Sequence, residues 1–194
     1  MVTTLAIALA ACGPAPTAAP TTTDAPIASP TRNLPTATPS VAPSSSVAID
    51  ASLLAILPAM VDGIEMVESP EAEIAALAGP ELAAVGSAMT AGIAVDTTSG
   101  QFVYAVVVRL QPGAVTDAVF RDWRDSYDEG ACSQAAGVVG NAEVQIAGRT
   151  VYIGSCTGGV LTYHVWLVDQ GILISASAVG DRRLGELLME NLRH

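Results

Sequence analysis

Val160-Leu161-Thr162-Tyr163-His164-Val165-Trp166-Leu167-Val168, then Asp169-Gln170-Gly171, then Ile172-Leu173-Ile174-Ser175-Ala176-Ser177-Ala178-Val179 reads as strand, turn, strand. Residues 142–146 and 149–155 repeat the pattern upstream, with Ala147-Gly148 and Thr157-Gly158-Gly159 as the turns. Connections this short require antiparallel neighbours, so 142–179 is a four-stranded meander. Further upstream, 91–96 and 101–110 form a hairpin around Thr97-Thr98-Ser99-Gly100. Phe102 to Val108 is almost unbroken in β-forming residues, which predicts a central strand covered on both faces.

Helices fill the rest. Pro112-Gly113 turns the chain into a helix over 114–129, where Val115, Val119, Trp123 and Tyr127 recur every four residues with Phe120 beside them, and Gly130 stops it. Asp50 caps a short helix over 51–57 that Pro58 interrupts, and 63–67 reads as a short edge strand. Ser69-Pro70-Glu71 opens a helix to about residue 78, and Gly79-Pro80 breaks it before a second one through 88. Asp181 caps a last helix whose Leu184, Leu187, Leu188 and Leu192 share a face. The expected fold class is α+β: a twisted antiparallel sheet, hairpin plus four-stranded meander, with helices packed on it.

Composition divides the 194 residues into regions. Eight of the twelve prolines lie between Pro14 and Pro43, and residues 13–48 hold only two charges, Asp24 and Arg32, and no aromatic. Such a segment cannot offset its chain entropy by burial, and its proline content favours an extended, semi-stiff tether open to O-glycosylation. All eight aromatics fall between Phe102 and Trp166, so the core is centred there. Net charge is −11, there is no lysine, and every arginine but Arg32 lies at or beyond Arg109. Phosphate-backbone affinity comes from clustered bases, so nucleic acid is excluded as a partner. No apolar run is long enough to span a bilayer as a helix.

Leu9-Ala10-Ala11-Cys12, behind an apolar stretch and followed by Gly13, resembles the lipobox of bacterial lipoprotein signal peptides. The eleven residues before Cys12 carry no Lys or Arg, so the basic n-region is expected upstream of Met1. The resemblance implies a signal segment over 1–11 and lipid on Cys12. It further implies a tether over 12–48 and one globular domain over 49–194, held at the outer face of the cytoplasmic membrane or in the cell envelope. The membrane is then a partner through the lipid. The element order is also broadly similar to PsbP-like and LpqN-type extracytoplasmic domains, which implies binding or assembly rather than a reaction.

The chemistry-bearing residues are few. Cys132 and Cys156 are the only cysteines of the folded part, and in an oxidising compartment they are expected to form a disulfide joining the long helix to the end of a strand. Period two along the meander puts Thr162, His164 and Trp166 on the more amphipathic face of their strand, under a helix or lining a shallow groove. These three are the candidate ligand-binding residues. The competing reading of His164 is a strand histidine that only satisfies its own hydrogen bonds. No second histidine or cysteine pair stands at ligand spacing, so neither metal nor cofactor is assigned. Within 117–129, Asp117, Arg121 and Asp125, and likewise Arg124 and Asp128, are four apart and read as ion-pair ladders on a solvated face. Eight carboxylates and no base lie between Asn33 and Val108, five of them from Asp62 to Glu73, and read as a solubilising acidic surface. The expected function is a non-catalytic, lipid-anchored domain binding an unidentified protein or small molecule. The alternative is a small extracytoplasmic hydrolase using His164 with Ser155 or carboxylates such as Asp169, although the G-x-S-x-G elbow is absent.

Overall fold

The computed structural model describes residues 47–193, so Cys12 and nearly all of the tether lie outside the described residues. The chain divides into two units, residues 1–40 and 41–194, and everything below belongs to the second. It begins with β1 (Ala48–Ile49), a 3-10 helix (Ala51–Ile56), the small pair β2 (Met60–Val61) and β3 (Ile64–Glu65), and β4 (Val67–Glu68). Helices α1 (Pro70–Leu77) and α2 (Pro80–Val85) lead into the hairpin of β5 (Gly86–Val95) and β6 (Phe102–Leu110). Helix α3 (Asp117–Cys132) is followed by the meander β7 (Val138–Ile146), β8 (Arg149–Cys156), β9 (Val160–Leu167) and β10 (Ile172–Val179), then α4 (Leu184–Glu190).

The main sheet runs in the order β1-β5-β6-β10-β9-β8-β7, with β4 also paired to β5, and β2 and β3 form a separate two-stranded sheet. The meander returns to the hairpin: β10 runs antiparallel to β6 from Ile172 opposite Arg109 to Val179 opposite Phe102. Helix α3 therefore has to carry the chain from the middle of the sheet to its far edge, and it does so across one face. The expected antiparallel α+β architecture is present, with one addition, since β1 pairs parallel to β5.

Several boundaries differ from the sequence reading, each for a local reason. The helix expected through residue 88 ends at Val85, because Gly86 begins β5 and packs so closely that a Cβ there would stand 3.0 Å from Leu82 and 3.2 Å from Val108. The segment 63–67 is a two-strand turn plus β4 rather than one edge strand. Helix α3 starts at Asp117, where the Thr116 hydroxyl accepts the Val119 N–H at 3.3 Å, and runs past Gly130 to Cys132. Strand β7 begins four residues earlier than the periodicity suggested, with an irregularity between Val138 and Gly140. Asp181 does not cap α4; it accepts from Gln101 Nε2 at 2.7 Å, and Arg183 holds the cap position with φ 55°.

The two faces of the sheet are covered differently. On one, Val103, Ala105, Val107, Tyr163, Val165 and Ile174 pack against Leu53 and Leu57 and against Leu184, Leu188 and Met189 of α4. The Tyr163 ring lies so near Gly185 that a β-carbon there would overlap it. Arg149 donates to the Met189 and Leu192 carbonyls at 3.3 and 3.1 Å, tying the end of α4 to β8. On the other face, Met89, Ala91, Val106, Val108 and Leu173 pack under α2 and the Phe120 end of α3. Cys132 and Cys156 form the expected disulfide, with Cα atoms 5.2 Å apart, and pin the C-terminal end of α3 to the end of β8.

Candidate functional site

Strand register builds two rows of side chains beneath α3. Tyr152, His164, Ser175 and Val106 stand opposite one another across β8, β9, β10 and β6. One step along, Gly154, Thr162, Ser177 and Tyr104 do the same. His164, Thr162 and Ser175 are each 0% exposed. From above, α3 lowers Trp123, Tyr127 and Asp128 onto these rows.

The polar atoms form one chain. His164 Nε2 is 2.8 Å from Asp128 Oδ1, and His164 Nδ1 is 2.9 Å from Ser175 Oγ. Thr162 donates its hydroxyl to the same Asp128 Oδ1, and Trp123 Nε1 donates to Ser175 Oγ at 2.9 Å. The Tyr127 and Ser177 hydroxyls meet at 3.1 Å, and the Tyr127 ring stands edge-on to the imidazole, centroids 5.2 Å apart. One assignment gives the Trp123 N–H, both His164 nitrogens and the Ser175 and Thr162 hydroxyls a partner each. Trp123 N–H donates to Ser175, the Ser175 hydroxyl donates to Nδ1, and Nε2–H and Thr162 donate to ionised Asp128. Burial pushes the Asp128 pKa up, but the hydrogen bonds from His164 and Thr162 and the nearby charge of Arg124 outweigh it and hold the carboxyl below its ordinary value.

Gly154 makes this approach possible: a Cβ there would collide with Asp128 Oδ2 and Thr162 Oγ1. The disulfide sits one helical turn beyond Asp128 and holds that end of α3 down.

Of the three residues singled out on the amphipathic face, Thr162 and His164 meet in this chain and lie under the helix. Trp166 stands apart. It packs on Phe120 with ring centroids 6.0 Å apart, its Nε1 has no hydrogen-bond partner, and it borders a hollow of about 300 Å³ with Tyr152. Ser155 and Asp169 are not part of the chain. Ser155 alternates to the opposite face of β8 from Tyr152 and Gly154, and Asp169 is exposed after β9. Two readings of charge are corrected. Asp128 is buried, not on a solvated ladder, and Arg124 instead contacts Asp125 at 3.2 Å and covers the Tyr152 ring at 4.6 Å. Glu73 is likewise buried, accepting from Thr90 Oγ1 at 2.8 Å and the Ala91 N–H at 3.2 Å.

Asp128, Ser175, Ser177 and Gly154 were not singled out from sequence. The signal for the serines was present, since Ser175-Ala176-Ser177 interrupts an apolar strand at period two. The signal for Asp128 was its place beside Tyr127 of the helix stripe and four residues before Cys132.

Several hollows border α3, and two of them lie on opposite sides of it. The larger, about 650 Å³, runs between α1–α2 and α3 and is lined chiefly by Ala76, Phe102, Tyr104, Val106, Trp123 and Tyr127, with Ser177 on its floor. At its rim Ser126 Oγ donates to Glu81 Oε1 at 3.4 Å. Burial and the charge of Glu73 push the Tyr104 hydroxyl pKa up to about 12, and burial pushes Tyr127 higher still, so both remain protonated donors. The smaller, about 430 Å³, opens on the other side between α3 and β7–β8 and is polar; Asp128 borders it. Among the described residues no group of three His, Cys, Asp or Glu is placed to hold a metal ion, and no helix is long and apolar enough to cross a membrane. Comparison with protein-family models, with curated proteins and with solved structures finds no match, so what the domain does has to be read from its own geometry.

Proposed function

We propose that residues 49–194 are a non-catalytic binding domain whose ligand has an apolar body, and that lipid on Cys12 and the proline-rich tether hold it at the outer face of a bacterial cytoplasmic membrane. The observation that carries the reading is the 650 Å³ groove beside α3. It is concave, mostly apolar and aromatic, and holds a few convergent hydroxyls, which is the usual make-up of a small-ligand site. The resemblance of Leu9-Ala10-Ala11-Cys12 to a lipobox and the tether composition support the anchor. The broad likeness to PsbP-like and LpqN-type layouts points the same way.

The hydrolase alternative finds less support. His164 has no exposed surface, Ser155 lies on the opposite face of β8, and the one serine that does touch His164, Ser175, already accepts the Trp123 N–H. A nucleophile needs its oxygen free to meet substrate. Titration with the neutral dye Nile red tests the groove: saturable one-to-one binding is expected, and Ala76→Trp, which fills the groove, should abolish it. Binding that is absent, or indifferent to Ala76→Trp, would sink the reading. For the anchor, Cys12→Ala should lose the acyl mass and leave the membrane fraction; an unchanged mass would refute lipidation.

A further inference from the structure

The polar hollow on the other side of α3 shares no lining residue with the apolar groove. Asp128 is only 6% exposed, and both of its hydrogen bonds, from His164 and Thr162, end on Oδ1. Its Oδ2 accepts none among the described residues, although Asp128 borders the hollow. Oδ2 is not sealed from solvent, so it is open to a donor that enters the hollow. The fold keeps it there by making the residue beneath it a glycine, Gly154.

Two guanidiniums stand on the same side of the helix. Arg124 is one turn and Arg121 two turns before Asp128, about 6 and about 10 Å along the axis at ~1.5 Å per residue. Both line the hollow. Arg124 is fixed over the Tyr152 ring, whereas Arg121 is exposed and makes no ion pair among the described residues. The hollow thus carries both signs, with Asp117, Asp128 and Glu143 lining it together with Arg121 and Arg124. Asn141 and Glu143 of β7 form the opposite wall.

We propose that this hollow binds a small zwitterion of about dipeptide size, its ammonium on Asp128 Oδ2 and its carboxylate on Arg121 and Arg124. A purely anionic ligand would meet Asp117, Asp128 and Glu143, and a purely cationic one would meet Arg121 and Arg124. The volume, about 430 Å³, lies in the lower half of the range for small-molecule sites. The chain Asp128–His164–Ser175–Trp123 supplies a reporter, because a new donor on Asp128 alters the partner of Nε2, and Trp123 Nε1 lies at the other end.

The test is a titration followed through the Trp123 indole N–H and the His164 ring nitrogens by NMR. The probes are glycylglycine, glycinamide (cation only) and N-acetylglycine (anion only). Glycylglycine should give saturable shifts, and each single-charge probe should bind roughly tenfold weaker or worse. Asp128→Asn keeps the side-chain shape and presents a donor to the hollow, and Arg121→Gln changes an exposed residue without touching the core. Each should weaken glycylglycine by roughly tenfold or more. No saturable shift with glycylglycine, equal binding of either single-charge probe, or undiminished binding by the Arg121→Gln protein would overturn the proposal.

Discussion

Tyr163 and His164 are neighbours on β9 and point to opposite faces of one sheet, and the two faces are built on different physics. The Tyr163 side, under α4 and the 3-10 helix, is held by apolar packing. The His164 side, under the C-terminal half of α3, buries Thr162, His164, Ser175 and Asp128. Apolar packing is non-directional, so the body of α4 is held by shape, including the slot that Gly185 leaves for the Tyr163 ring, and only its last carbonyls are tied by hydrogen bonds from Arg149. Hydrogen bonds are directional. Asp128, Trp123 and Tyr127 fit their partners on β9 and β10 in one position of the helix only. Both faces contribute stability, and the polar contacts also set where α3 lies and therefore where the hollows beside it open.

The sharpest test of this contrast is to truncate each neighbour. Tyr163→Ala should cost ~3–5 kcal/mol in urea unfolding through lost burial and the cavity left. His164→Ala should cost a similar ~3–5 kcal/mol, because it strands the Asp128 charge. The two differ in rescue. Adding Asp128→Ala should recover part of the His164→Ala loss, whereas nothing on α3 should recover Tyr163→Ala. Additive losses in the His164/Asp128 pair would refute a coupled polar face.

Removing the disulfide with Cys132→Ser and Cys156→Ser opens a crosslink between residues 24 apart. That should lower stability by ~3 kcal/mol. The amides of α3 should exchange faster with solvent while those of α4 change little. Equal loosening of both helices would argue against separate attachment. Gly154→Ala should cost ~1–3 kcal/mol, in line with overpacking, and should shift the Asp128 and Thr162 resonances first.

Acid distinguishes the faces by a smaller effect. The Asp128 pKa is lower in the folded chain than its ordinary 3.8, so its contribution to stability is present above about pH 4 and is lost as pH falls through the folded value. Asp96 is held down to about 2, first by the Ser99 hydroxyl and then by the Thr98 N–H, and acts in the same direction. Stability against pH should therefore decline below about pH 4, less steeply in Asp128→Asn. An unchanged slope would place the acid sensitivity elsewhere. The smallest change should come from Ser177→Ala, which removes the Tyr127 hydrogen bond at a cost of ~1 kcal/mol and leaves the His164 chain intact.

Local pattern made most elements readable. Alternation in 160–179 and short turns specify antiparallel strands, the four-residue spacing from Val115 to Tyr127 specifies a helix, and Cys132 and Cys156, the only cysteines of the folded part, could be paired. Boundaries failed where tertiary contacts outweighed propensity: Gly130 stays helical because Cys132 is tied down, and Gly86 becomes strand because its backbone fits between Leu82 and Val108. Glu73 and Asp128 looked like surface acids because charge spacing alone says nothing of what lies beneath a helix.

The α+β class, the meander, the disulfide partners and the face on which Thr162 and His164 lie are all legible locally, since each depends on neighbours a few residues apart or on a choice among few residues. That α3 crosses that face is settled by long-range contacts. The crossing brings Asp128 to His164 across 36 residues and Ser175 to Trp123 across 52, and it opens a hollow on each side of the helix. Those meetings follow from the return of β10 to β6, a long-range pairing that sends α3 over the sheet and that no local pattern encodes.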